Sequence, residues 1–245
     1  MDKQGISPDI RTIGKGIRTL LITMTPFILI LLSVRILLAV SPVFVNWEYR
    51  RPSFPEDPYG FEVEDRIYWS RVDIRYLLDS SLDISYFDDF QLENGEPMHN
   101  DRELSHMEDV RNLSDGFWTA GKILILLFVL LSAVLWSIEN PSAVAVVLKR
   151  GASATILFML TVLLAVGVGF NTFFVAFHRV FFVGDTWLFR YSDTFIRLYP
   201  EMFWRDIFIL LAGITAALAG IFALAGRTIQ SRADDADSLM AEING

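Results

Sequence analysis

The sequence predicts a mainly α-helical, polytopic membrane protein with four transmembrane helices and a small extracytoplasmic domain built from helices and a possible short hairpin. Apolar residues make up 53% of the 245 residues, phenylalanine alone accounts for 20, and the mean hydropathy is +0.40. Four apolar runs, which as helices can cross a hydrocarbon core of ~30 Å, are separated by segments rich in charge. An ordinary soluble domain is less apolar than this.

The first apolar run, residues 20–45, is too long for the core of a cleavable signal peptide, so we expect a retained first span. It contains Arg35, which at ~1.5 Å per residue lies roughly 22 Å along the helix. A charge at that depth costs a few kcal/mol unless it reaches the interface or finds a partner. The short segment before the run is basic, with Lys3, Arg11, Lys15 and Arg18.

The second, third and fourth apolar runs cover residues 123–138, about 151–178 and 207–225. Basic residues cluster at the N-terminus, at Lys149-Arg150 and just after the fourth run. The positive-inside rule therefore predicts that both termini are cytoplasmic and that the two longer connections lie outside. The tail beyond Arg232 is acidic and is expected to be disordered.

These runs predict nine consecutive segments. They are a cytoplasmic N-terminus at 1–19, a first span at 20–45, an extracytoplasmic loop domain at 46–119, a second span at 120–139, a cytoplasmic loop at 140–150, a third span at 151–178, an extracytoplasmic loop with an interfacial helix at 179–206, a fourth span at 207–226 and a cytoplasmic tail at 227–245. In the fourth span, Ala212, Ala216 and Gly220 recur every four residues beside Gly213 and Ala217, which predicts a helix-packing face.

The large outer loop is acidic and patterned. Residues 46–119 carry 18 Asp and Glu against 7 Arg and no Lys, a balance of −11 that argues against nucleic acid as a partner. Helical spacing predicts a helix over about 64–80, and Asn94-Gly95 predicts a hairpin or irregular turn within 83–99. Residues 100–103 resemble a capping box, which predicts a helix from there to Gly116.

Several chemistries are excluded by composition and motif. There is no cysteine, and no nucleophile elbow, zinc-protease motif, phosphate-binding loop or dinucleotide fingerprint. Three histidines without cysteine give weak support for zinc, so we expect neither a metal nor another cofactor.

His106 is the first candidate for chemistry, because it shares a helix face with apolar residues rather than with the charged side. Val110, Leu113 and Phe117 lie on that face, and Asp109 at i+3 is within reach of the imidazole. The alternative interpretation is a packed histidine with a satisfied hydrogen bond. His99, in the turn before this helix, is expected to be a solvated surface residue.

His178 is the second candidate, because it ends the third apolar run. Counting from Gly151 puts it about 40 Å along a helix, at or above the outer lipid interface. Two histidines at one interface are a plausible acid/base pair, although His178 could instead snorkel at a helix end, where its charge suits the helix dipole. After it, Gly184 can end the helix and Asp185-Thr186 can cap an interfacial helix whose apolar face includes Trp187, Phe189, Phe195, Ile196 and Leu198.

Two segments carry a family resemblance. Residues 104–113 read Leu-Ser-His-Met-Glu-Asp-Val-Arg-Asn-Leu, and residues 177–187 read Phe-His-Arg-Val-Phe-Phe-Val-Gly-Asp-Thr-Trp. Together with four spans, a large outer loop and an arginine near the outer end of the first span, they resemble the DUF1461 family of bacterial integral membrane proteins, which includes lipoprotein intramolecular transacylases. The resemblance covers roughly residues 10–226.

The resemblance implies an activity in the bacterial cytoplasmic membrane: moving the sn-2 acyl chain of a diacylglyceryl-modified lipoprotein to the amine of its N-terminal cysteine. The partners would be such lipoproteins and membrane lipid, with the site at the outer leaflet. For this reaction we hypothesise that His106, oriented by Asp109, is the general base and that His178 donates a proton, roles that can be exchanged. The expected supporting or substrate-binding residues are Asp109, Arg35, Asp185, Trp187 and Arg179. The alternatives are an envelope protein that binds a partner through its acidic outer domain, and a non-enzymatic lipid-binding protein.

Overall fold

The computed structural model describes residues 8–244. Residues 1–7, which include Lys3 of the basic N-terminal segment, and Gly245 lie outside the described residues. Helices dominate, in the order α1 (Pro8–Glu48), α2 (Val63–Leu78), a 3₁₀ helix (Ile84–Asp89), α3 (Asp101–Ile138), α4 (Pro141–Phe181), α5 (Thr194–Leu198) and α6 (Glu201–Asn244). Between Pro8 and Asn244 no strand is present, and a single antiparallel bridge joins Gln91 and Pro97.

Four of these helices, α1, α3, α4 and α6, are long and apolar enough to cross a membrane. Each exceeds the apolar run that predicted it, because the charged flanks continue the helix. Lys149 and Arg150, expected in a loop, lie inside α4, which begins at Pro141. Proline suits the first turn of a helix, where its missing N–H leaves no intrahelical bond unmade.

The C-terminal tail was expected to be disordered, and this prediction is wrong for the described residues. Helix α6 continues through it to Asn244. The segment after Gly226 contains neither proline nor glycine until the final residue, so nothing in it terminates a helix.

The chain divides into two compact units, and the first contains residues 8–33, 119–162 and 212–244 of the described part. One apolar cluster joins Leu21 to Leu135 and Val147, and a second joins Leu29 to Ala152 and Ala219. Packing is close where small residues meet, since a Cβ added at Gly151 would lie 2.5 Å from the Thr25 hydroxyl oxygen.

The packing face of α6 differs from the predicted one. Ala212, Thr215 and Ala219 are buried, and the Thr215 hydroxyl donates to Ser33 at 2.9 Å. Gly213, Ala216, Ala217 and Gly220 are exposed on the protein surface. The buried residues alternate three and four apart, as the 3.6-residue period of a helix requires, whereas a strict four-residue repeat drifts off the face.

The second unit contains residues 34–118 and 163–211, and therefore every candidate site residue. One of its clusters packs Phe44, Tyr49, Phe54 and Ile67 against Phe203 of α6. The other packs α2 and the 3₁₀ helix against α3 and α5, through Val72, Tyr76, Phe87, Met107 and Phe195.

In the large loop the predicted start of α3 is confirmed, whereas its predicted end and the possible hairpin are not. The capping box is present, because the Asn100 side chain accepts from the Glu103 N–H while the Glu103 carboxylate accepts from the Asn100 N–H. Helix α3 does not stop at Gly116 and continues to Ile138. The possible hairpin is reduced to the one bridge, around a turn in which Gly95 has φ +82° and Leu92 N–H donates to Glu96.

Candidate active site

His106 and His178 meet. The centres of their rings are 6.0 Å apart, with the planes inclined by 27°, so both can reach one reacting group placed between or beside them. His106 lies one and a half turns into α3, and His178 lies one turn before the end of α4. Both side chains are buried, with 8% and 7% of their surface exposed.

The helix that carries His178 is kinked, whereas its predicted depth rested on a straight helix. Gly169 has non-helical dihedral angles inside α4. The twelve residues after it therefore form a separate helical segment, which carries His178 and belongs to the second unit.

Aromatic side chains enclose the two histidines, and we call this set the aromatic cage. Phe174 and Trp187 lie 4.0 and 5.0 Å from the His178 ring, measured between ring centres. The remaining rings of the cage are Phe182, which contacts both histidines, Phe189 and Phe195, which contact His106, and Phe177, which contacts His178. Such walls exclude water and strengthen any polar interaction inside.

The two imidazoles differ in their hydrogen bonds. The Nδ1 atom of His178 lies 2.7 Å from the carbonyl oxygen of Phe174, which can only accept, so Nδ1 carries the hydrogen. In the neutral ring, Nε2 then holds the lone pair. The Nδ1 atom of His106 is buried and has no hydrogen-bond partner among residues 8–244.

Asp109 does not hold His106, contrary to prediction. Its carboxylate accepts a hydrogen bond from the Thr186 hydroxyl at 3.0 Å. Thr186 stands in the turn that carries Trp187, whose indole N–H donates to the Gly184 carbonyl at 3.1 Å. Asp109 therefore fixes the turn that presses Trp187 against His178.

The predicted cap at Asp185-Thr186 is also wrong. Residues after Phe181 form turns, with Gly184 at φ +77° and the Leu188 N–H donating to the Asp185 carbonyl. The next helix, α5, begins only at Thr194. Trp187 and Phe189 are thus outside any helix, and Phe195 and Leu198 are buried rather than interfacial. The Phe195 ring packs in the cluster with α2 and against His106.

Three other predicted supporting residues form no hydrogen bond with the histidine pair in the described part of the chain. Arg179 and Asp185 are exposed. The guanidinium carbon of Arg35 lies 5.4 Å from the centre of the Trp118 ring. This cation–π contact gives the charge within the first apolar run a partner. Within the described residues, no hydrogen bond joins any of the three to either histidine.

His99, expected to be solvated, is buried with 3% of its surface exposed. Its Nε2 lies 2.8 Å from an Asp73 carboxylate oxygen, and its Nδ1 lies 2.9 Å from the Thr194 hydroxyl. That hydroxyl donates to Glu103 at 2.8 Å, and the Tyr199 hydroxyl donates to Asp73 at 2.7 Å. We call these five residues the polar network.

The polar network backs the cage. The His99 ring lies 4.6 Å from the Phe195 ring, which in turn is 6.2 Å from the His106 ring. Sequence reasoning missed both the network and most of the cage. Phe174 and Phe182 could have been found, since they stand four residues either side of His178. Residues 73, 99 and 194 lie far apart in the sequence, so no local pattern connects them.

The fold and site define an α-helical integral membrane protein with a buried histidine pair at one end of two of its long helices. The sequence matches the model of a family described as "Lipoprotein intramolecular transacylase Lit" over residues 19–204. The chain belongs to this family.

The chain is also similar to individual proteins and solved structures. An uncharacterized protein of Aquifex aeolicus (strain VF5) is 33% identical over 210 residues, covering 86% of this chain and 92% of its own length. The structure of the membrane integral lipoprotein intramolecular transacylase Lit from Bacillus cereus superposes with a TM-score of 0.68 at 16% identity, covering 91% of this chain and 98% of that one. The structure of a histidine-to-alanine variant of the same protein superposes with a TM-score of 0.64, covering 91% of this chain and 96% of that one.

Proposed function

We propose that the chain is a transacylase that moves the sn-2 acyl chain of a diacylglyceryl-modified lipoprotein to the α-amine of its N-terminal cysteine. The proposal rests on family membership together with one observation, the juxtaposition of His106 and His178 in the aromatic cage. Neither purely partner-binding nor lipid-binding roles require two buried imidazoles to face one small volume.

The reaction needs no residue of the enzyme as nucleophile. The neutral amine of the lipoprotein attacks the ester carbonyl carbon and forms a tetrahedral oxyanion. The nitrogen then loses a proton, the bond to the sn-2 oxygen breaks, and that oxygen gains a proton. An amide and a free hydroxyl result, so atoms balance without water or a cofactor.

We assign the proton transfers from the hydrogen bonds of the two rings. His178 is the base, because its Nδ1–H donates to Phe174 and leaves the Nε2 lone pair free to take the amine proton. His106 donates a hydrogen bond to the departing oxygen through the buried Nδ1, which has no partner in the described part of the chain. The proton taken by His178 then passes to that oxygen, so both histidines end the reaction neutral. This exchanges the roles first expected from sequence.

The setting follows from the same proposal. Both termini face the cytoplasm, the multi-pass chain lies in the bacterial cytoplasmic membrane, and the cage lies at the level of the outer leaflet, where the lipoprotein substrate is anchored. The charge distribution supports this orientation, since basic residues cluster near both termini and at Lys149-Arg150. The apolar cage wall suits the acyl chains of the substrate.

The test is to express His106→Ala and His178→Ala in a host that makes a diacylglyceryl lipoprotein, and to analyse its N-terminal peptide by mass spectrometry. Each histidine contributes acid–base catalysis worth about 10²–10⁴-fold, so the N-acyl lyso-form falls below detection. Val180→Ala is the matched control, because Val180 is on the same turn of α4 but is 74% exposed. Undiminished product with either histidine variant would overturn the assignment.

A further inference from the structure

A second candidate site lies in the large loop, away from the cage. An open cleft of about 550 Å³ lies between the end of α1 and the C-terminal half of α2. Its lining is Pro42, Arg71, Ile74, Arg75, Leu78, Asp79 and Ser80, all in the second unit. Pockets of this volume take small ligands or headgroups.

The two arginines of the cleft are exceptional in their surroundings. The segment 46–119 holds 18 carboxylates and 7 arginines. Five of these arginines bind a carboxylate or a backbone carbonyl: Arg50, Arg51, Arg66, Arg102 and Arg111. Arg71 and Arg75 form no side-chain hydrogen bond or ion pair within the described residues, although Arg75 lies 5.9 Å from the Tyr86 ring.

Arg71 and Arg75 are placed so that both can bind one anion. Arg71 and Arg75 are four residues apart on α2, so both guanidinium groups project from one face and are exposed. Two guanidinium groups side by side bind a phosphodiester through charge-assisted hydrogen bonds. In a segment with a balance of −11, two adjacent guanidinium groups that no carboxylate binds directly indicate a ligand that is itself negative there.

The third charge in the cleft selects the kind of phosphate. Hydrogen bonds from the Ser81 hydroxyl and N–H lower the pKa of Asp79 from its ordinary value of 3.8, so this carboxylate is ionised. Both bonds reach Oδ1, at 2.6 and 3.0 Å, which leaves Oδ2 for another donor. A carboxylate next to two guanidinium groups disfavours a simple anion and suits a phosphate with an ammonium group close by.

The cleft also lies where a lipid headgroup would be. Pro42 stands near the end of the apolar run of α1, and Val43 and Trp47 beside it are 74% and 58% exposed. Exposed valine followed by exposed tryptophan at the end of a span is typical of the membrane–water interface. Ile74 and Leu78 add apolar walls on the α2 side.

We propose that this cleft binds the headgroup of a membrane phospholipid of the phosphoethanolamine type, with the phosphodiester on Arg71 and Arg75 and the ammonium on Asp79. The lipid is not the acyl donor, since a diacylglyceryl lipoprotein carries no phosphate. The site is therefore independent of the transacylase proposal.

The test is native mass spectrometry of the full chain in detergent with added phosphatidylethanolamine, phosphatidylglycerol or diacylglycerol. The wild type retains phosphatidylethanolamine best and diacylglycerol least. The double variant Arg71→Gln/Arg75→Gln lowers bound phosphatidylethanolamine about tenfold, and Arg71→Lys/Arg75→Lys retains most of it. The matched control Arg50→Gln/Arg102→Gln removes the same charge from two other exposed arginines and leaves binding unchanged.

Asp79→Asn reduces the difference in binding between phosphatidylethanolamine and phosphatidylglycerol. Equal losses in the test and control doubles would overturn the proposal, and so would diacylglycerol bound as well as the phospholipids. Inorganic phosphate at millimolar concentration leaves the lipid bound; full displacement would make the cleft a site for free phosphate instead.

Discussion

Replacing His99 with leucine tests the polar network behind the cage. The wild-type ring contacts Asp73 and Thr194 through its two nitrogens, at 2.8 and 2.9 Å, and no atom of leucine can replace either contact. Asp73, only 2% exposed, would keep the Tyr199 hydroxyl but lose its other partner. Breaking a buried polar pair from one side costs about 3 kcal/mol, at the low end of the usual range because one donor remains.

For a chain of this length, that loss corresponds to a drop in Tm of roughly 6–12 °C. The assay is thermal unfolding of the purified full chain in detergent, followed by circular dichroism. Arg102→Ala is the control, because it removes a charge from the exposed ion pair with Asp193 at 3.3 Å. Exposed pairs contribute at most about 1 kcal/mol, so its Tm falls by no more than roughly 2–4 °C.

A double-mutant cycle separates the pair from general effects of burial. His99→Leu combined with Asp73→Leu leaves no uncompensated carboxylate, so the double variant loses clearly less stability than the two single losses added together. Additive losses, or a His99→Leu shift no larger than that of Arg102→Ala, would refute the reasoning.

Three further predictions follow from single contacts. Thr186→Val removes the hydrogen bond to Asp109 and frees the turn that holds Trp187, so formation of the lyso-form falls about tenfold in the mass-spectrometric assay while Thr186→Ser retains it; equal activity of the two variants would contradict this. Gly151→Ala pushes a Cβ to 2.5 Å from the Thr25 hydroxyl and destabilises the first unit by about 1–3 kcal/mol in thermal unfolding, whereas Gly220→Ala, which meets nothing within 4 Å, does not. Burial raises the pKa of Tyr199 well above 10.0. The stability that this residue contributes is therefore complete below pH 10 and is lost as the pH rises further, because only the unfolded chain then releases the proton. Tyr199→Phe is expected to flatten the dependence of stability on alkaline pH, and an unchanged dependence would contradict the role of Tyr199.

Local signals in the sequence predicted local structure well. The capping box at Asn100 and Glu103, the helix near residues 64–80 and four long apolar helices are all present, because each depends on neighbours in the chain. The role of Asp109 could not be predicted, because its partner lies elsewhere in the chain. Asp109 stands three residues from His106, yet it binds Thr186, 77 positions away, since the turn after α4 folds over α3.

The sequence by itself determined the class of the protein and its two principal candidate residues. Apolar runs predict four helices long enough to cross a membrane, because every backbone polar group inside lipid must be paired within a helix. The two motifs around His106 and His178 identified the family.

Only the tertiary structure decided that the two rings lie 6.0 Å apart, that aromatic side chains from three segments enclose them, and that His99 is a buried member of the polar network. The physical reason is that helical periodicity specifies which side chains share a face, whereas the contact between faces depends on how distant segments pack.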